Sequence, residues 1–517
     1  MNLLAVVLLL LVQHALPLPS LQRAPARVSV RDEKALLAEL ERDLEDTTPE
    51  KRRSAVKKLR DLATPNAWML VLRALGDRDA QVADEAQLAL GGLREPKVLR
   101  AMLGRDGLQS DDEWVALRVA EALGRSELEV HADELVRHVH ARAPDLARTI
   151  VWSVERLAQR KKLGGDTGAL GAALQKLASG ARDAGVRAAA LIALERIDYF
   201  AAKPLIEAAL SDRAAEIRCG ALLAAGGWPE QECVARSRAA LGDADGAVRA
   251  QAIENLAKVG SRAAMLELVR WMELEPRTRL RFAILAELQR HSGLANGFDV
   301  AAWRSWAETI TGAVTTGVGG TKRAPVLGDT RVGFAGMNTL SDRVVFLVDF
   351  SGSLWMTKVG ARTRKELVDG EMRKALQSLP KNTEFNVIPY TGEPFPWSDA
   401  LVPSSAANVK RALEFFERCH QTGKGDYFGA VQLALRDPKV DTIVVLTDGA
   451  PTGGRRWNLE LMVELLAEAN RFRKIAFDSV LVGGTRTQQR HWSELARRTG
   501  GRSMVAEMSE EGVTAGR

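Results

Sequence analysis

Cysteine, long apolar runs and blocks of like charge are what this sequence has little of. Its 517 residues include three cysteines, Cys219, Cys233 and Cys419. So few cannot form a disulfide framework in a chain of this length, and each reads as a small buried hydrophobe. The apolar run from Leu3 to Val12 has ten residues, too short for a transmembrane helix. Prolines and small residues follow it, the layout of a secretory signal, so residues 1–20 are expected to be a signal peptide and the protein to be exported to the periplasm, envelope or exterior. Basic residues number 72 and acidic ones 66, a net charge of +6 with the signs interspersed, so no nucleic-acid partner is expected. The chemistry of an enzyme is also missing. There is no Gly-x-Ser-x-Gly elbow, and the seven histidines show no metal-ligand pairing; His131, His138 and His140 read as one polar helix face.

Helical periodicity fills most of residues 30–308. One pattern recurs there: "VRAAALIAL" from Val186, "IRCGALLAA" from Ile217 and "VRAQAIENL" from Val248, in steps of 31 residues. The same template fits "LRFAILAEL" from Leu280, "TIVWSVERL" from Thr149, "VALRVAEAL" from Val115, "VADEAQLAL" from Val82 and "SAVKKLRDL" from Ser54. A helical hairpin of this size cannot bury its apolar stripe alone, so stacked neighbours are expected to share one core in a curved solenoid. Acid-containing turns before a Val-Arg, "SDRAAEIR" from Ser211 and "GDADGAVR" from Gly242, resemble HEAT repeats, which implies a protein-binding scaffold. Asp212, Asp243, Arg187, Arg218 and Arg249 are expected to form a ladder of charge pairs between repeats. The Asp-x-x-x-Trp-x-x-Trp stretch Asp299–Trp306 places Trp303 and Trp306 on one helix face, as a cap for the last repeat.

Residues 309–340 lose the helical period and read as a linker. From 341 to 512 strands alternate with helices, which predicts a parallel sheet covered on both faces, an α/β doubly wound domain that folds separately from the solenoid. Two strands end in an acid, Asp349 in "VVFLVDFSGS" and Asp448 in "VVLTDG". Carboxylates on one rim with hydroxyls beside them suit a hard cation such as Mg²⁺.

Here the sequence resembles the von Willebrand factor A domain and its metal-ion-dependent adhesion site. The Asp-x-Ser-x-Ser motif is matched by Asp349, Ser351 and Ser353, and the later strand-end acid by Asp448. The resemblance implies Mg²⁺, or Mn²⁺ or Ca²⁺, bound by the serine hydroxyls directly and by the acids largely through water, with a carboxylate of a protein ligand completing the shell. One position departs from the family: Gly425 stands where a threonine is usual, and Asp426, which follows it, joins Asp349, Ser351, Ser353 and Asp448 as a candidate metal ligand. The same strand end has the outline of a haloacid dehalogenase nucleophile, but Ser351 stands where that family needs a general acid. The expectation is therefore a non-enzymatic scaffold of the exported bacterial kind. A partner subunit of an AAA-type ATPase complex and a metal-free structural A domain are the alternatives.

Overall fold

The computed structural model describes residues 30–312, 333–352, 357–449, 451–509 and 512–515. The expected signal peptide, most of the linker and Ser353 lie outside the described residues. Among those described, no helix is long and apolar enough to cross a membrane.

Each template segment forms the second helix of a hairpin. Successive pairs are Gly168–Gly180 with Ala184–Ile197, Tyr199–Ala209 with Ala215–Ala225, Glu230–Leu241 with Gly246–Val259, and Arg262–Leu274 with Thr278–Ser292. The acid-containing turns have two local tasks. Asp183 and Asp245 cap helices by accepting Val186 N and Ala247 N, each at 2.8 Å, which stabilises a helix start by about 1 kcal/mol. Asp212 and Asp243 instead tie neighbouring repeats: Arg187 reaches Asp212 at 3.0 Å, and Arg218 grips Asp243 with two bonds of 2.7 Å. Arg249 continues the ladder to Glu275 at 2.8 Å, and Arg52 begins it with Asp77 at 2.7 Å. The expected charge ladder is present, and its acids lie 25 or 26 residues beyond their arginines. Apolar stripes between the rungs merge into one core from Leu40 to Trp228 and a second from Cys219 to Ile310. All three cysteines are buried and unpaired. Trp303 is fully buried at the far end, with Trp306 edge-on to it at 5.8 Å.

The second domain is built on seven strands: β1 Arg343–Asp349, β2 Glu384–Tyr390, β3 Val402–Pro403, β4 Thr442–Thr447, β5 Ala476–Val482, β6 Ser503–Ser509 and β7 Gly512–Ala515. They lie in the order β7-β6-β5-β4-β1-β2-β3. The five central strands are parallel, as expected, but β3 and β7 run antiparallel at the two edges. β3 is two residues long and contains Pro403, which lacks the amide a central strand needs. Alternation along β1 divides its side chains between two cores: Val344, Phe346 and Val348 pack against helices Arg364–Gln377 and Ala406–Arg418, while Val345 and Leu347 face Tyr427–Ala434, Leu459–Ala469 and Arg486–Arg498. The end of the supposed linker belongs here as well. Phe334 and Met337, on a short hairpin, are buried in the first of these cores, with Phe334 edge-on to Phe346 at 5.5 Å.

The two domains have separate cores but are locked by buried charge. Asp84 is fully buried and accepts from Arg118, from Trp457 N at 2.7 Å and from Asn458 N at 2.8 Å. Arg456, also buried, reaches Gln87 at 2.6 Å. Further along, Arg471 holds Glu155 at 2.7 and 2.8 Å, and Lys474 meets Glu254 at 2.6 Å. Phe472 sits in the solenoid's own apolar core. Sequence composition alone predicts two independently folding halves; the structure joins them through buried A-domain arginines that pair with solenoid acids across the boundary.

Beside Arg471, burial raises the Glu468 carboxyl to about 7, against the pull of Arg471 and with repulsion from Glu155 added. The folded chain therefore holds this proton more tightly than the unfolded chain, and stability falls as pH rises from about 4.5 to 7. Glu468→Gln removes that penalty. It should raise the melting temperature at pH 8 by the equivalent of at most about 3 kcal/mol, with little change at pH 4. Thermal melts of both proteins at the two pH values measure the difference.

Candidate functional site at the strand ends

β1 and β4 are neighbours, yet the chain leaves β1 by a helix on one face and β4 by a helix on the other. This is the switch point of the sheet, where the loops diverge and leave a crevice. Five buried apolar residues bring β1 to Asp349, the first carboxylate it offers, and β4 delivers Thr447 and then Asp448 beside it.

Asp349 is only 2% exposed. One carboxylate oxygen accepts the Ser351 amide at 2.8 Å, and the other accepts the Thr447 hydroxyl at 2.9 Å. No cationic side chain among the described residues forms an ion pair with Asp349. Burial pushes its carboxyl up to about 6, and the charge of Asp448 pushes in the same direction, against the two hydrogen bonds. Asp448 is half-buried at the same rim. Ser351 is buried and bridges to Gly423, while Gly352 N donates to Gly423 O at 3.2 Å. The loop carrying Gly425 is thereby laid along the Asp-x-Ser stretch.

Gly425 stands close to Asp349: a Cβ on it would lie 3.0 Å from Asp349 Oδ1. Its amide donates to the Thr452 hydroxyl at 2.8 Å, and its carbonyl accepts from Thr452 N and Gly453 N. The loop after Asp448 therefore brings a hydroxyl to the position where the usual threonine is missing. Asp426 has a different post. Its carboxylate caps helix Tyr427–Ala434 by accepting Gly429 N at 2.9 Å, and the carboxyl is raised by burial, with Glu393 the nearby charge. It faces Gly454, whose φ of +78° and whose Cβ position, 2.1 Å from Asp426 Oδ1, leave room for no side chain. Asp349, Ser351 and Asp448 are thus drawn to one rim and Asp426 is directed into the helix cap, while Ser353 lies outside the described residues.

Among the described residues no three His, Cys, Asp or Glu side chains converge as metal ligands. A cation here would rest on two carboxylates and hydroxyl oxygens. That donor set fits a hard divalent ion, and a buried carboxylate beside a second one, with no cationic partner of its own, is an arrangement a cation would relieve.

Residues 342–505 match the von Willebrand factor type A domain, and residues 202–289 match HEAT repeats. The chain joins HEAT repeats to a von Willebrand factor type A domain. Inter alpha-trypsin inhibitor, heavy chain 4, of Mus musculus is 33% identical over 128 residues, 22% of this chain and 13% of the relative. Inter-alpha-trypsin inhibitor heavy chain H4 of Homo sapiens is 32% identical over 131 residues, 23% of this chain and 13% of the relative. The match therefore spans about an eighth of these relatives' length. A von Willebrand factor type A structure from Catenulispora acidiphila aligns with a TM-score of 0.27 and 16% identity, over 32% of this chain and 38% of that one.

Thr447, Thr452 and Gly454 do not stand out in sequence, because a hydroxyl or a glycine in a turn has many bland uses. "TDGAPTGG" is the signal they left, since its length lets the chain double back from the A domain's second acid to Gly425. Gly454→Ala should cost about 2 kcal/mol or more through left-handed strain and collision with Asp426. In an Asp426→Ala background the collision is gone, so the added cost should shrink to the strain alone. Denaturant midpoints for the four proteins of that cycle give the coupling.

Proposed function

We propose that the protein is an exported, non-enzymatic scaffold whose A domain binds a protein ligand through a divalent cation at Asp349, Ser351 and Asp448, with Ser353 completing the motif. One observation carries the proposal: Asp349 is buried at the switch point, beside Asp448 and the Ser351 and Thr447 hydroxyls, with no ion-pair partner among the described residues. Mg²⁺ at this rim would neutralise two converging acids and offer an open position to a carboxylate of the ligand. The chain's residues contribute geometry: Thr447 and the Ser351 amide orient Asp349, and Thr452 holds the Gly425 loop against it. Export rests on the Leu3–Val12 run, and a binding role is consistent with a solenoid that offers surface without catalytic groups.

The docking of the A domain on the repeats supports a second reading, a metal-free packing module. Arg456 and Arg471 give that module a structural task that needs no cation.

Calorimetric titration with Mg²⁺ and Mn²⁺ separates the two. Wild type should bind one ion, and Asp349→Ala should lose at least about tenfold in affinity, the scale of one charge-assisted contact, while keeping a cooperative melt. Gly425→Thr should tighten binding. Gly425 does not have positive φ, so a threonine there needs only a few tenths of an ångström from Asp349. Ligand capture from an envelope extract should then be abolished by EDTA and by Asp349→Ala alike. Absence of metal heat in all three proteins, with capture indifferent to EDTA, would leave the packing module.

A further inference from the structure

At the opposite ends of the same strands, away from Asp349, the A domain and the solenoid enclose a cavity of about 360 Å³. Six cationic side chains and three acidic ones line it, with Leu280, Val440 and Phe472 as apolar wall. Three of the cations are guanidinium groups with no carboxylate in ion-pair reach among the described residues. Arg277 is half-buried and its guanidinium makes no hydrogen bond among the described residues; burial lowers its pKa, and Arg343 beside it adds to the effect. Arg279 is 8% exposed and donates to a single protein group, the Gly500 carbonyl. Arg473 donates to two carbonyls, Leu435 O at 2.6 Å and Asp437 O at 2.7 Å.

Elsewhere along the boundary, buried arginines meet acids: Arg118 with Asp84, Arg471 with Glu155. Here none of the three lining acids, Glu216, Asp245 and Asp441, forms an ion pair with these guanidinium groups, although Asp441 keeps one buried oxygen without a hydrogen-bond partner among the described residues. Asp441 accepts the Ser341 and Thr442 hydroxyls at 2.6 and 2.9 Å, and Asp245 caps its own helix. Two repeat helices, Ala215–Ala225 and Thr278–Ser292, also start at the cavity without a side-chain cap, which turns the positive ends of two helix dipoles toward it, the first partly offset by Glu216 in its own first turn. Uncompensated guanidinium groups are costly to bury, and their forked donors match phosphate oxygens.

We propose that this interdomain cavity binds a phosphorylated small organic molecule, its phosphate held by Arg277, Arg279 and Arg473 and its organic part against Leu280, Val440 and Phe472. Six cations against three acids in the lining ask for more than one negative charge, and the volume suits a compound of metabolite size. Because the lining comes from both domains, the bound molecule ties the A domain to the repeats.

The test uses the full chain in EDTA, so that no divalent cation links the phosphate to the other site. Calorimetry and thermal melts are run with pyrophosphate, a nucleoside diphosphate and citrate, each against sodium chloride of equal ionic strength. The expected result is one binding site for the two phosphate compounds, a raised melting temperature, and tighter binding of the nucleoside diphosphate than of pyrophosphate. Arg277→Ala, which removes no hydrogen bond of the fold, should weaken binding by about tenfold or more, and Arg277→Lys by less. Melts no higher than the salt control, with no heat in wild type, would overturn the proposal. Citrate binding as tightly as the phosphates would overturn the assignment to phosphate.

Discussion

Asp84 is the point on which the arrangement of the two domains depends. It is fully buried within the solenoid, and it receives one solenoid arginine, Arg118, together with Arg456 and two backbone amides of the A domain. Burial and then the neighbouring Arg118 lower the Arg456 guanidinium to about 10, a sign of how much the site relies on its acids. Glu121 supplies the second. Burial alone would raise its carboxyl, but Arg125 and Arg156 hold it down at about 2. Two buried arginines from different domains can lie side by side because these carboxylates are already in place. Without Asp84 they would repel each other in a low dielectric, so docking and charge neutralisation are one event.

The repeats reach this arrangement by altering their own rule. Along most of the array an arginine at the start of the second helix pairs with the acid of the following turn, 25 or 26 residues on. Between Asp84 and Arg156 the pairs run helix to helix instead, as Arg118 to Asp84 and Arg156 to Glu121. There the ladder turns from holding the stack to receiving the A domain. Glu121, Glu155 and Glu254 occupy the seventh position of the same nine-residue template, and two of them are met by A-domain cations, Arg471 and Lys474. Three hairpins thus present an acid at one template position, with Ile192 and Leu223 filling it in the two hairpins between Glu155 and Glu254, and the A domain's own cations reach the second and third of these acids.

Some of this was legible in the sequence and some was not, for reasons that can be named. The 31-residue step and the ladder Arg218 to Asp243 were legible because a repeat states its contacts many times over. β1 and β4 were legible because a short, β-branched apolar run that stops at an acid suits a buried strand reaching a sheet rim and little else. The docking was not, since Asp84 and Arg456 are 372 residues apart and nothing local marks them as partners. Nor was the use of the segment before β1: Phe334 looks like one apolar residue in a Gly-rich stretch until the sheet supplies the core it enters. Asp426 was ambiguous because an acid beside a glycine can cap a helix or face a rim, and the backbone at Gly429 and Gly454 decides between them.

The loop that leaves Asp448 connects these levels. Within four residues it places the Thr452 hydroxyl on the Gly425 amide, at the rim, and within ten it has placed Trp457 and Asn458 on Asp84, in the solenoid. A shift of this loop at either end must be absorbed by a short segment between them. Gly454 cannot yield by changing conformation freely, because the Asp426 carboxylate lies against it. The rim chemistry of the A domain is therefore mechanically joined to its seat on the repeats. A shift of Asp448 would therefore act on the same segment that Asp84 anchors.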